Sequence, residues 1–523
     1  MIVINSAAYV IPEFRNELGL IPPCLLPLGN KKLLEHQVQE LRRFKDEKII
    51  VSLPANYELT LDEQQLMQSL RVEVIAVPED FSLAEALTYV LNVASVEGKT
   101  LRLLHGDTLI LDLPTGLDEV AVGQSAGDYD WEIESPAENS IEATLVWSGF
   151  FSFSDQREFL RALASSRRNF VHAVREYGNK NKLKAIACEK WFDLGHVNTY
   201  FSSRSRITTQ RSFNSLKIVD GVLYKTGEPV KKIEAEENWF KNVPLNIKKY
   251  TPHLLSSGIL ESGARFYALE YLPYLPLNEL FVHGRNSVDF WIKKFKLLKK
   301  FFEDAREGDF NNFDYFDVLK KEALALYQSK TIERLRLFEH ETGFSSNTVL
   351  SLHNGRPLTA SGIAEDCIHL TLERSLVPAI LHGDLCFSNI LFDSRSSSLK
   401  VIDPRGLSFG GDLTIFGDQK YDLAKLTHSI IGLYDFIIAG RYQIDVDSDG
   451  FDCIKFDIDN RVKLIQDKFF DFSFIEGESV IDILPLVVLL FISMLPLHAD
   501  NPSRQKAMLL NAVRLYKEFL LNK

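Results

Sequence analysis

Two apolar runs in the C-terminal half each lead into polar residues at a fixed spacing. Residues 380–391 read Ile-Leu-His-Gly-Asp-Leu-Cys-Phe-Ser-Asn-Ile-Leu, with Asn389 five positions after Asp384. Residues 401–406 read Val-Ile-Asp-Pro-Arg-Gly and place Asp403 at the end of a second apolar run. Phosphoryl transfer to a hydroxyl needs one carboxylate that accepts the proton and oxygen ligands that hold Mg2+ on the ATP phosphates. Asp384 has the position of the first group, and Asn389 and Asp403 have that of the second.

The alternative interpretation is a chance H-x-D loop in which Asp403 is only a turn residue. A lone H-x-D motif carries little weight. Here, however, the spacing to Asn389, the apolar flanks and the second aspartate occur together and in the required order. The pattern therefore predicts that Asp384 is catalytic and that Asn389 and Asp403 bind Mg2+.

With these flanks, the two stretches resemble the aminoglycoside phosphotransferase and choline kinase family, which has a protein-kinase-like fold. The resemblance covers about residues 212–523. It implies a strand lysine that grips the phosphates of ATP and a helix glutamate that orients this lysine. Lys225, in Val-Leu-Tyr-Lys-Thr-Gly, and Glu236 match these positions and are predicted to be catalytic, and Lys225 also to bind the cofactor. Glu234 and Glu237 are alternatives to Glu236.

The run Ala-Leu-Glu-Tyr-Leu at 268–272 resembles the inter-lobe hinge of the same family, whose backbone meets the adenine. It makes Glu270 and Leu272 predicted cofactor-binding residues. The stretch 421–425, Tyr-Asp-Leu-Ala-Lys, resembles the structural helix that follows the metal aspartate. One departure is the absence of a G-x-G-x-x-G loop, so that either the short Thr226-Gly227 turn or another segment closes over ATP.

Three stretches of the N-terminal part resemble sugar-phosphate nucleotidyltransferases. Residues 21–29 read Ile-Pro-Pro-Cys-Leu-Leu-Pro-Leu-Gly, residues 103–107 read Leu-Leu-His-Gly-Asp, and residues 191–200 read Trp-Phe-Asp-Leu-Gly-His-Val-Asn-Thr-Tyr. In that family two aspartates hold the divalent metal that bridges the nucleotide and sugar phosphates. The matching residues are Asp107 and Asp193, and the resemblance implies CTP or another nucleoside triphosphate as their ligand.

The N-terminal stretch also departs from that family. The family opens with a glycine-rich loop containing an arginine, whereas residues 5–15 hold no glycine and the first one is Gly19. The family's lysine is replaced by Pro23. Glycine permits close approach of the main chain to phosphate, and lysine supplies charge to the leaving group. Two alternatives stay open: an active nucleotidyltransferase, or a domain that keeps the fold and binds a nucleotide or sugar.

Short apolar runs alternate with helical patterns up to a polar, basic junction at Ser202–Arg211, which indicates a mostly parallel sheet with helices on both faces. Strands are predicted at Met1–Asn5, Lys48–Leu53, Val72–Val77 and Leu101–Leu104. Helices are predicted at Lys32–Phe44, Leu61–Leu70 and Leu83–Ala94.

Beyond the junction, two apolar runs meet at Asp220-Gly221, a strong hairpin signal. A helix is predicted from about Lys231 to Lys241, a strand at Arg265–Glu270, and mainly helix after Pro276 apart from a strand–loop–strand at 377–403. The predicted fold class is α/β: a Rossmann-like nucleotidyltransferase (GT-A-like) domain followed by a bilobal protein-kinase-like phosphotransferase domain. The predicted boundaries are 1–207, an N-lobe at 212–275 and a helical C-lobe at 276–523.

Composition excludes several classes of function. The chain has 523 residues and a formal net charge of −12, which argues against a broad nucleic-acid interface. Its five cysteines are scattered and odd in number, which favours reduced thiols in a cytoplasmic protein over disulfides or a zinc site. The most apolar stretch, Ile483–Leu497, contains Pro485 and Pro496 and is predicted to be a buried core helix, not a membrane span.

The order of the two parts resembles bacterial capsular polysaccharide biosynthesis proteins, as do the stretches 239–244 and 494–505. This resemblance implies an ATP-dependent kinase that phosphorylates a hydroxyl of a small sugar-like or polyol substrate in the cytoplasm. It also implies other capsule biosynthesis proteins as partners. The alternative is a non-catalytic nucleotide- or sugar-binding scaffold of a capsule assembly complex.

Overall fold

The computed structural model describes residues 1–45, 47–94, 100–124, 132, 134, 145–167, 169–208, 210–211, 214–308 and 313–521. The chain divides into two compact units. The first comprises Met1–Thr208 together with His283–Arg285, and the second comprises Thr209–Val282 and Asn286–Lys523. Residues 212 and 213, at the predicted start of the kinase-like part, lie outside the described residues, and the predicted domain and lobe boundaries stay predictions.

The first unit is built on a seven-stranded, mostly parallel sheet. Its strands lie in the order Lys184–Ala187, Glu119–Gln124, Leu145–Phe153, Leu101–His105, Ile2–Asn5, Ile49–Pro54 and Glu73–Val77. Only Leu145–Phe153 runs antiparallel to its neighbours. Helices are found at Pro12–Leu18, Leu33–Leu41, Leu61–Ser69, Leu83–Val93, Gln156–Ser165, Phe170–Asn181 and Val197–Thr208.

Both faces of this sheet are buried, which explains the continuous apolar runs of its central strands. Val3 packs in one hydrophobic cluster, whereas its neighbours Ile2 and Ile4 pack in the other. Successive side chains of a strand point to opposite faces, so each cluster fills one side of the sheet. The predicted strands and helices are confirmed with small shifts, and the helix predicted to run to Phe44 ends at Leu41.

The division between the two units falls after Thr208, inside the predicted junction at Ser202–Arg211. Residues up to Thr208 continue the helix that begins at Val197. The hydroxyl of Ser203 donates to the backbone oxygen of Asp193 at 2.8 Å, which fastens this polar helix to the unit. The polar first part of the junction is therefore helical and belongs to the first unit.

The second unit begins with the N-lobe, a five-stranded antiparallel sheet with one long helix, the N-lobe helix, and the short helix Leu245–Lys248. The strands lie in the order Gln210–Arg211, Asn214–Val219, Val222–Gly227, Arg265–Glu270 and Leu254–Ile259. The hairpin predicted at Asp220-Gly221 is confirmed, with φ angles of 49° and 77° at the two turn residues. Positive φ at both positions suits the right-handed twist of the flanking strands. The helix, predicted from Lys231, spans Val230–Asn242.

The rest of the unit, the C-lobe, is mainly helical. Its α-helices are Leu277–Val282, Val288–Ala305, Phe313–Leu324, Lys330–Thr342, Ala360–Leu372, Lys420–Ile430, Tyr434–Ile438, Asn460–Phe470, Val480–Met494 and Pro502–Leu515. Small antiparallel sheets join Leu275–Pro276, Ile390–Asp393 and Ser398–Val401, and separately Pro378–Ile380 and Phe416–Asp418. Two further hairpins were not predicted: Val349–His353 with Arg356–Thr359, and Gln443–Val446 with Asp452–Lys455.

The predicted buried core helix is found at Val480–Met494. The stretch Val480–His498 is long and apolar enough to cross a membrane, with a mean hydropathy of 2.6, but 78% of its most apolar window is buried inside the fold. Pro485 lies within the helix and is itself buried. The apolar surface of this helix is therefore covered by the protein.

We predict that Gly406→Ala destabilises the second unit through a backbone clash. The residue has a φ of 61°, and a Cβ atom there would lie 2.2 Å from the backbone oxygen of Ala235 in the N-lobe helix. We expect a loss of about 2 kcal/mol or more, measured as a lower midpoint of thermal unfolding.

Gly263→Ala is the matched control, because its φ of 82° brings similar strain with no atom within 4 Å of the added Cβ. It should cost only about 1 kcal/mol. Equal losses in the two variants would contradict the close contact between Gly406 and the helix.

Candidate active site

Lys225, on the strand Val222–Gly227, is the centre of the candidate site of the second unit. Its ammonium lies 2.7 Å from Glu236 Oε2 and 3.0 Å from Asp403 Oδ1, and its side chain is only 2% exposed. Burial acts to lower the pKa of Lys225, but the charges of Asp403 and Glu236 outweigh it and leave the pKa raised. The lysine is therefore a fixed cation held between the N-lobe helix and a C-lobe loop.

The geometry selects Glu236 among the three glutamates of the N-lobe helix. Its Oε2 atom accepts a hydrogen bond from the Tyr267 hydroxyl at 2.6 Å in addition to the lysine. Glu237, one position further round the helix, instead pairs with Arg265 at 2.8 Å. The nearest cation of Glu234 is Lys231 at 3.8 Å, near the surface. Consecutive helix positions point about 100° apart, so only one of the three faces the strand.

Asp384 and Asn389 are joined within one tight loop. The amide nitrogen of Asn389 donates to the backbone oxygen of Asp384 at 2.9 Å and to its Oδ2 atom at 3.1 Å. The side-chain nitrogen is thus committed to Asp384, and the amide oxygen is the atom left to bind a cation. The backbone N–H of Ile402 donates to the backbone oxygen of Asn389 at 3.0 Å, which places the residue before Asp403 against this loop.

His382 is a structural residue that fastens the same loop. It is fully buried, and its Nδ1 atom accepts from the backbone N–H of Asp384 at 3.3 Å. Its Nε2 atom therefore carries the proton and donates to the backbone oxygen of Ile402 at 3.0 Å. Burial lowers the pKa of His382 to about 4, so the ring stays neutral. The indole of Trp239 reaches the loop as well, donating to the backbone oxygen of Leu381 at 2.8 Å.

Asp422, in the helix Lys420–Ile430, stabilises the same loop. Its carboxylate accepts hydrogen bonds from the backbone N–H groups of His382 and Gly383, both at 2.8 Å. Burial raises the pKa of Asp422 to about 7. This carboxylate fixes the backbone turn that presents Asp384 to the cleft.

Sequence reasoning missed the partner of Asp384. The ammonium of Lys425 lies 2.9 Å from Asp384 Oδ1, and the Asp384 side chain remains 41% exposed. Burial acts to raise the pKa of Asp384, but Lys425 outweighs it and leaves the pKa lowered. The available signal was helical spacing, because Lys425 follows Asp422 by three positions and so shares its helix face.

Asp403 has a backbone conformation that is uncommon for a residue with a side chain. Its φ is 57°, and its carboxylate is 45% exposed in the cleft while touching Lys225. Aspartate tolerates this left-handed region better than most residues. The conformation turns the side chain from the strand Ser398–Val401 towards the lysine.

The oxygen atoms of Asn389 and Asp403 suit Mg2+. Among the described residues, no group of three or more His, Cys, Asp or Glu side chains could hold a metal. Mg2+ is commonly bound by one or two protein side chains while phosphates and waters supply its other ligands. The donor set therefore fits a metal that binds together with a nucleotide.

The predicted hinge joins the N-lobe sheet to the C-lobe. Glu270 ends the strand Arg265–Glu270, and its backbone N–H donates to His253 O at 2.9 Å. The backbone oxygen of Leu272 accepts from the N–H of Tyr274 at 2.9 Å. Both predicted residues lie on the connection between the lobes, and their contact with adenine stays a prediction.

In the first unit, Asp107 and Asp193 come together by strand pairing. A short antiparallel pair sets Asp193 opposite Thr108, and the backbone N–H of Leu194 donates to the backbone oxygen of Asp107 at 2.9 Å. Gly195 lies between the two carboxylates: its N–H is 3.2 Å from Asp193 Oδ1, and a Cβ there would lie 2.5 Å from Asp107 Oδ2. A larger residue there would displace the Asp107 carboxylate.

The charges of this pair repel each other. Burial and the charge of Asp193 raise the pKa of Asp107 to about 6. The Nδ1 atom of His196 lies 2.9 Å from Asp193 Oδ2, and the hydroxyl of Thr199 donates a hydrogen bond to the same oxygen. Two adjacent oxygen donors that repel each other suit a divalent cation.

The loop after the first strand is closed by its own hydrogen bonds. The N–H of Ser6 donates to the Ser52 hydroxyl at 3.0 Å, and the N–H of Val10 donates to Ile21 O at 3.0 Å. The Nε atom of Arg15 donates to Val10 O at 2.9 Å. These two backbone amides and this guanidinium nitrogen are already bonded within the protein.

Comparison with known proteins gives matches to solved structures only. No protein-family model and no curated protein matches the chain. A nucleoside-diphosphate-sugar pyrophosphorylase from Vibrio cholerae RC9 is 15% identical, covering 39% of this chain and 99% of that chain, with a TM-score of 0.33. The inositol-1-phosphate CTP transferase from T. maritima is 13% identical, with coverages of 39% and 95% and a TM-score of 0.29.

The larger part of the chain matches a second group. The GDP complex of wild-type aminoglycoside 2'-phosphotransferase-IIIa is 14% identical, covering 59% of this chain and 90% of that chain, with a TM-score of 0.31. The fold assignment itself rests on the strand order of the two units. The chain is α/β: the first unit holds a mostly parallel seven-stranded sheet, and the second holds a five-stranded antiparallel sheet followed by a mainly helical lobe.

Proposed function

We propose that the chain is an ATP-dependent, Mg2+-requiring kinase that phosphorylates a hydroxyl of a small sugar-like or polyol substrate. One observation carries the proposal. The ammonium of Lys225 bridges Glu236 and Asp403, and hydrogen bonds of the adjacent loop hold Asp384 and Asn389 beside them. This is the set of groups that phosphoryl transfer needs, since the protein contributes positioning and charge.

Each group has a separate role in this proposal. Lys225, oriented by Glu236, grips the phosphates of ATP. The Asn389 amide oxygen and Asp403 would hold Mg2+, which would neutralise charge on the phosphates. The backbone around Glu270 and Leu272 meets the adenine.

Asp384 accepts the proton of the acceptor hydroxyl. The hydroxyl oxygen of the acceptor forms a bond to the γ-phosphorus of ATP, and the bond from that phosphorus to the bridging oxygen of ADP breaks. The hydroxyl proton passes to an oxygen of Asp384, from which it is released to solvent. The lowered pKa of Asp384 keeps the carboxylate ionised and able to orient the hydroxyl before transfer.

The same proposal places the reaction in the cytoplasm, in the synthesis of a capsular polysaccharide precursor. ATP supply and the five free cysteines support that compartment. The stretch 239–244, part of the basis for the capsule assignment, includes Trp239, whose contact with the catalytic loop is structural. Other capsule biosynthesis proteins are the partners this assignment implies, and a non-catalytic scaffold is the alternative.

We predict that Asp384→Asn lowers the ATP turnover of the chain by about 10²–10⁴-fold, because the proton acceptor is lost. The measurement is ADP release with Mg2+ against a panel of sugars and polyols. The affinity for Mg2+-ATP should change less than threefold, since Lys225 and Asp403 remain.

Asp393→Asn is the matched control. Asp393 lies on the neighbouring strand Ile390–Asp393, and its carboxylate accepts the backbone N–H of Arg395 at 3.0 Å. This variant should keep normal turnover. A wild-type chain that binds no Mg2+-ATP would favour the scaffold, and normal turnover in Asp384→Asn would remove Asp384 from the mechanism.

A second function, metal-dependent nucleotide binding by the first unit, is favoured by the Asp107–Asp193 pair. The backbone amides of Ser6 and Val10 already donate to acceptors within the protein, which argues against their binding a triphosphate. We therefore propose that this unit binds a nucleotide through the metal and that nucleotidyl transfer is the less favoured alternative.

We predict that CTP, UTP or GTP binds the chain only with Mg2+, at a site that Asp107→Asn weakens at least tenfold. The reason is the loss of one of two metal-binding carboxylates. Calorimetry in the presence of a saturating ATP analogue would separate this site from the kinase site. Asp112→Asn is the control, because that carboxylate caps the backbone of Glu189 and Lys190. Equal binding with and without Mg2+ would contradict the proposal. Release of pyrophosphate would instead show that the first unit catalyses nucleotidyl transfer.

A further inference from the structure

Four cations of the C-lobe gather beside Asp384, and we call them the cation cluster. Two lie one turn apart on the helix Lys330–Thr342, one lies on the helix Lys420–Ile430, and one follows Asp403 by two positions. The members are Lys330, Arg334, Lys425 and Arg405. All four side chains are partly exposed, so that they line a cleft instead of filling the core.

The cluster converges on the phenol of Tyr421. The ammonium of Lys330 donates to the Tyr421 hydroxyl at 3.1 Å, and that of Lys425 lies 6.0 Å from the ring centre. Burial acts to raise the pKa of Tyr421, but Lys330, Lys425 and Arg405 outweigh it and lower the pKa to about 8. The charges therefore act together at one place, next to the carboxylate that would receive the acceptor proton.

Three of the four cations have no acidic partner at ion-pair distance in the part of the chain that the structure describes. Among the described residues, no carboxylate lies within ion-pair distance of Lys330, Arg334 or Arg405, and only Lys425 is paired, with Asp384. Arg334 donates to the backbone oxygen of Ser493 at 3.0 Å, a neutral acceptor. In the same part of the chain, the Arg405 guanidinium makes no hydrogen bond at all.

The acidic groups that face the cluster are already engaged. Glu322 accepts a hydrogen bond from the backbone of Phe409, and Asp418 binds the Tyr327 hydroxyl at 2.9 Å. Burial lowers the pKa of both Lys330 and Arg334 from their ordinary values. Holding unpaired cations in a desolvated cleft costs stability, and an anion bound there would offset that cost.

We propose that the acceptor of the kinase reaction is an anionic alcohol. Its phosphate or carboxylate group binds to the cation cluster, and its hydroxyl lies against Asp384. This inference rests on the proposed kinase function and narrows its substrate class. The nucleotide is assigned to Lys225, Asn389 and Asp403, whereas three of the four cluster residues lie on C-lobe helices. An anionic ligand held on these helices would present its hydroxyl to Asp384 from the acceptor side.

The first test measures anion binding directly. The chain is saturated with Mg2+ and the non-hydrolysable analogue AMP-PNP, and inorganic phosphate and acetate are then titrated in separate experiments by calorimetry. We expect at least one of the two anions to bind the wild type, and its Kd to rise at least tenfold in Lys330→Gln and in Arg405→Gln. The Kd for AMP-PNP should stay within twofold, because neither side chain forms an ion pair or a hydrogen bond with Lys225 or Asp403 among the described residues.

The controls separate charge from folding. Lys455→Gln removes a cation from the exposed hairpin strand Asp452–Lys455 and should leave anion binding unchanged. Lys330→Gln and Arg405→Gln remove unpaired charges, so their midpoints of thermal unfolding should stay equal to the wild type or rise. A purely structural role of these cations would instead lower the midpoint without a specific loss of anion affinity.

The second test identifies the anionic group through turnover. Matched sets are offered as acceptors: glycerol, glycerol 3-phosphate and glycerate; and glucose, glucose 6-phosphate and gluconate. We expect a charged member to have a KM at least tenfold below its neutral counterpart, and Lys330→Gln to raise that KM more than it changes kcat. The phosphate and carboxylate arms distinguish the two possible groups.

Two results would overturn the inference: wild-type protein that binds neither anion, or a neutral alcohol preferred over its charged counterparts. Failure of the kinase proposal has a different signature. The chain would then fail to bind AMP-PNP with Mg2+, while titration of phosphate and acetate into the nucleotide-free chain would still report on the cation cluster.

Discussion

The second unit depends on a lysine that could not be buried alone. The Lys225 side chain is 2% exposed, and a desolvated ammonium requires countercharge. One partner, Glu236, comes from the N-lobe helix, and the other, Asp403, comes from a C-lobe loop. These two ion pairs therefore link the strand, the helix and the loop. The Asp403 carboxylate is 45% exposed, so it can still bind a divalent cation from the cleft.

Other contacts hold the loop that carries Asp384 and Asn389 in position. His382 and Asp422 hold this loop through backbone hydrogen bonds, and Trp239 joins the N-lobe helix to the same loop. Neutral or backbone-directed contacts do the positioning, so the charged side chains remain available to ligands. The same distinction appears in the first unit, where strand pairing and Gly195 set Asp107 beside Asp193.

Local patterns made much of the structure predictable. Asp384, Asn389 and Asp403 share short segments whose spacing and apolar flanks are visible in the sequence, and the hairpin at Asp220-Gly221 has a turn that few other residue pairs allow. The cation cluster was not predictable in this way. Lys330, Arg405 and Lys425 come from separate elements, and only helix packing reveals that they meet. Composition located the division between the units near Ser202–Arg211, but it did not predict that residues up to Thr208 are helical.

The most direct test of the central claim is a double-mutant cycle on Lys225 and Glu236. The dissociation constant for Mg2+-AMP-PNP would be measured for the wild type, Lys225→Met, Glu236→Gln and the double variant, with Glu234→Gln as control. If Glu236 acts through the lysine, each single change weakens binding at least tenfold, and the double variant is little worse than Lys225→Met. Independent, additive losses, or single variants that bind within twofold of the wild type, would contradict the account.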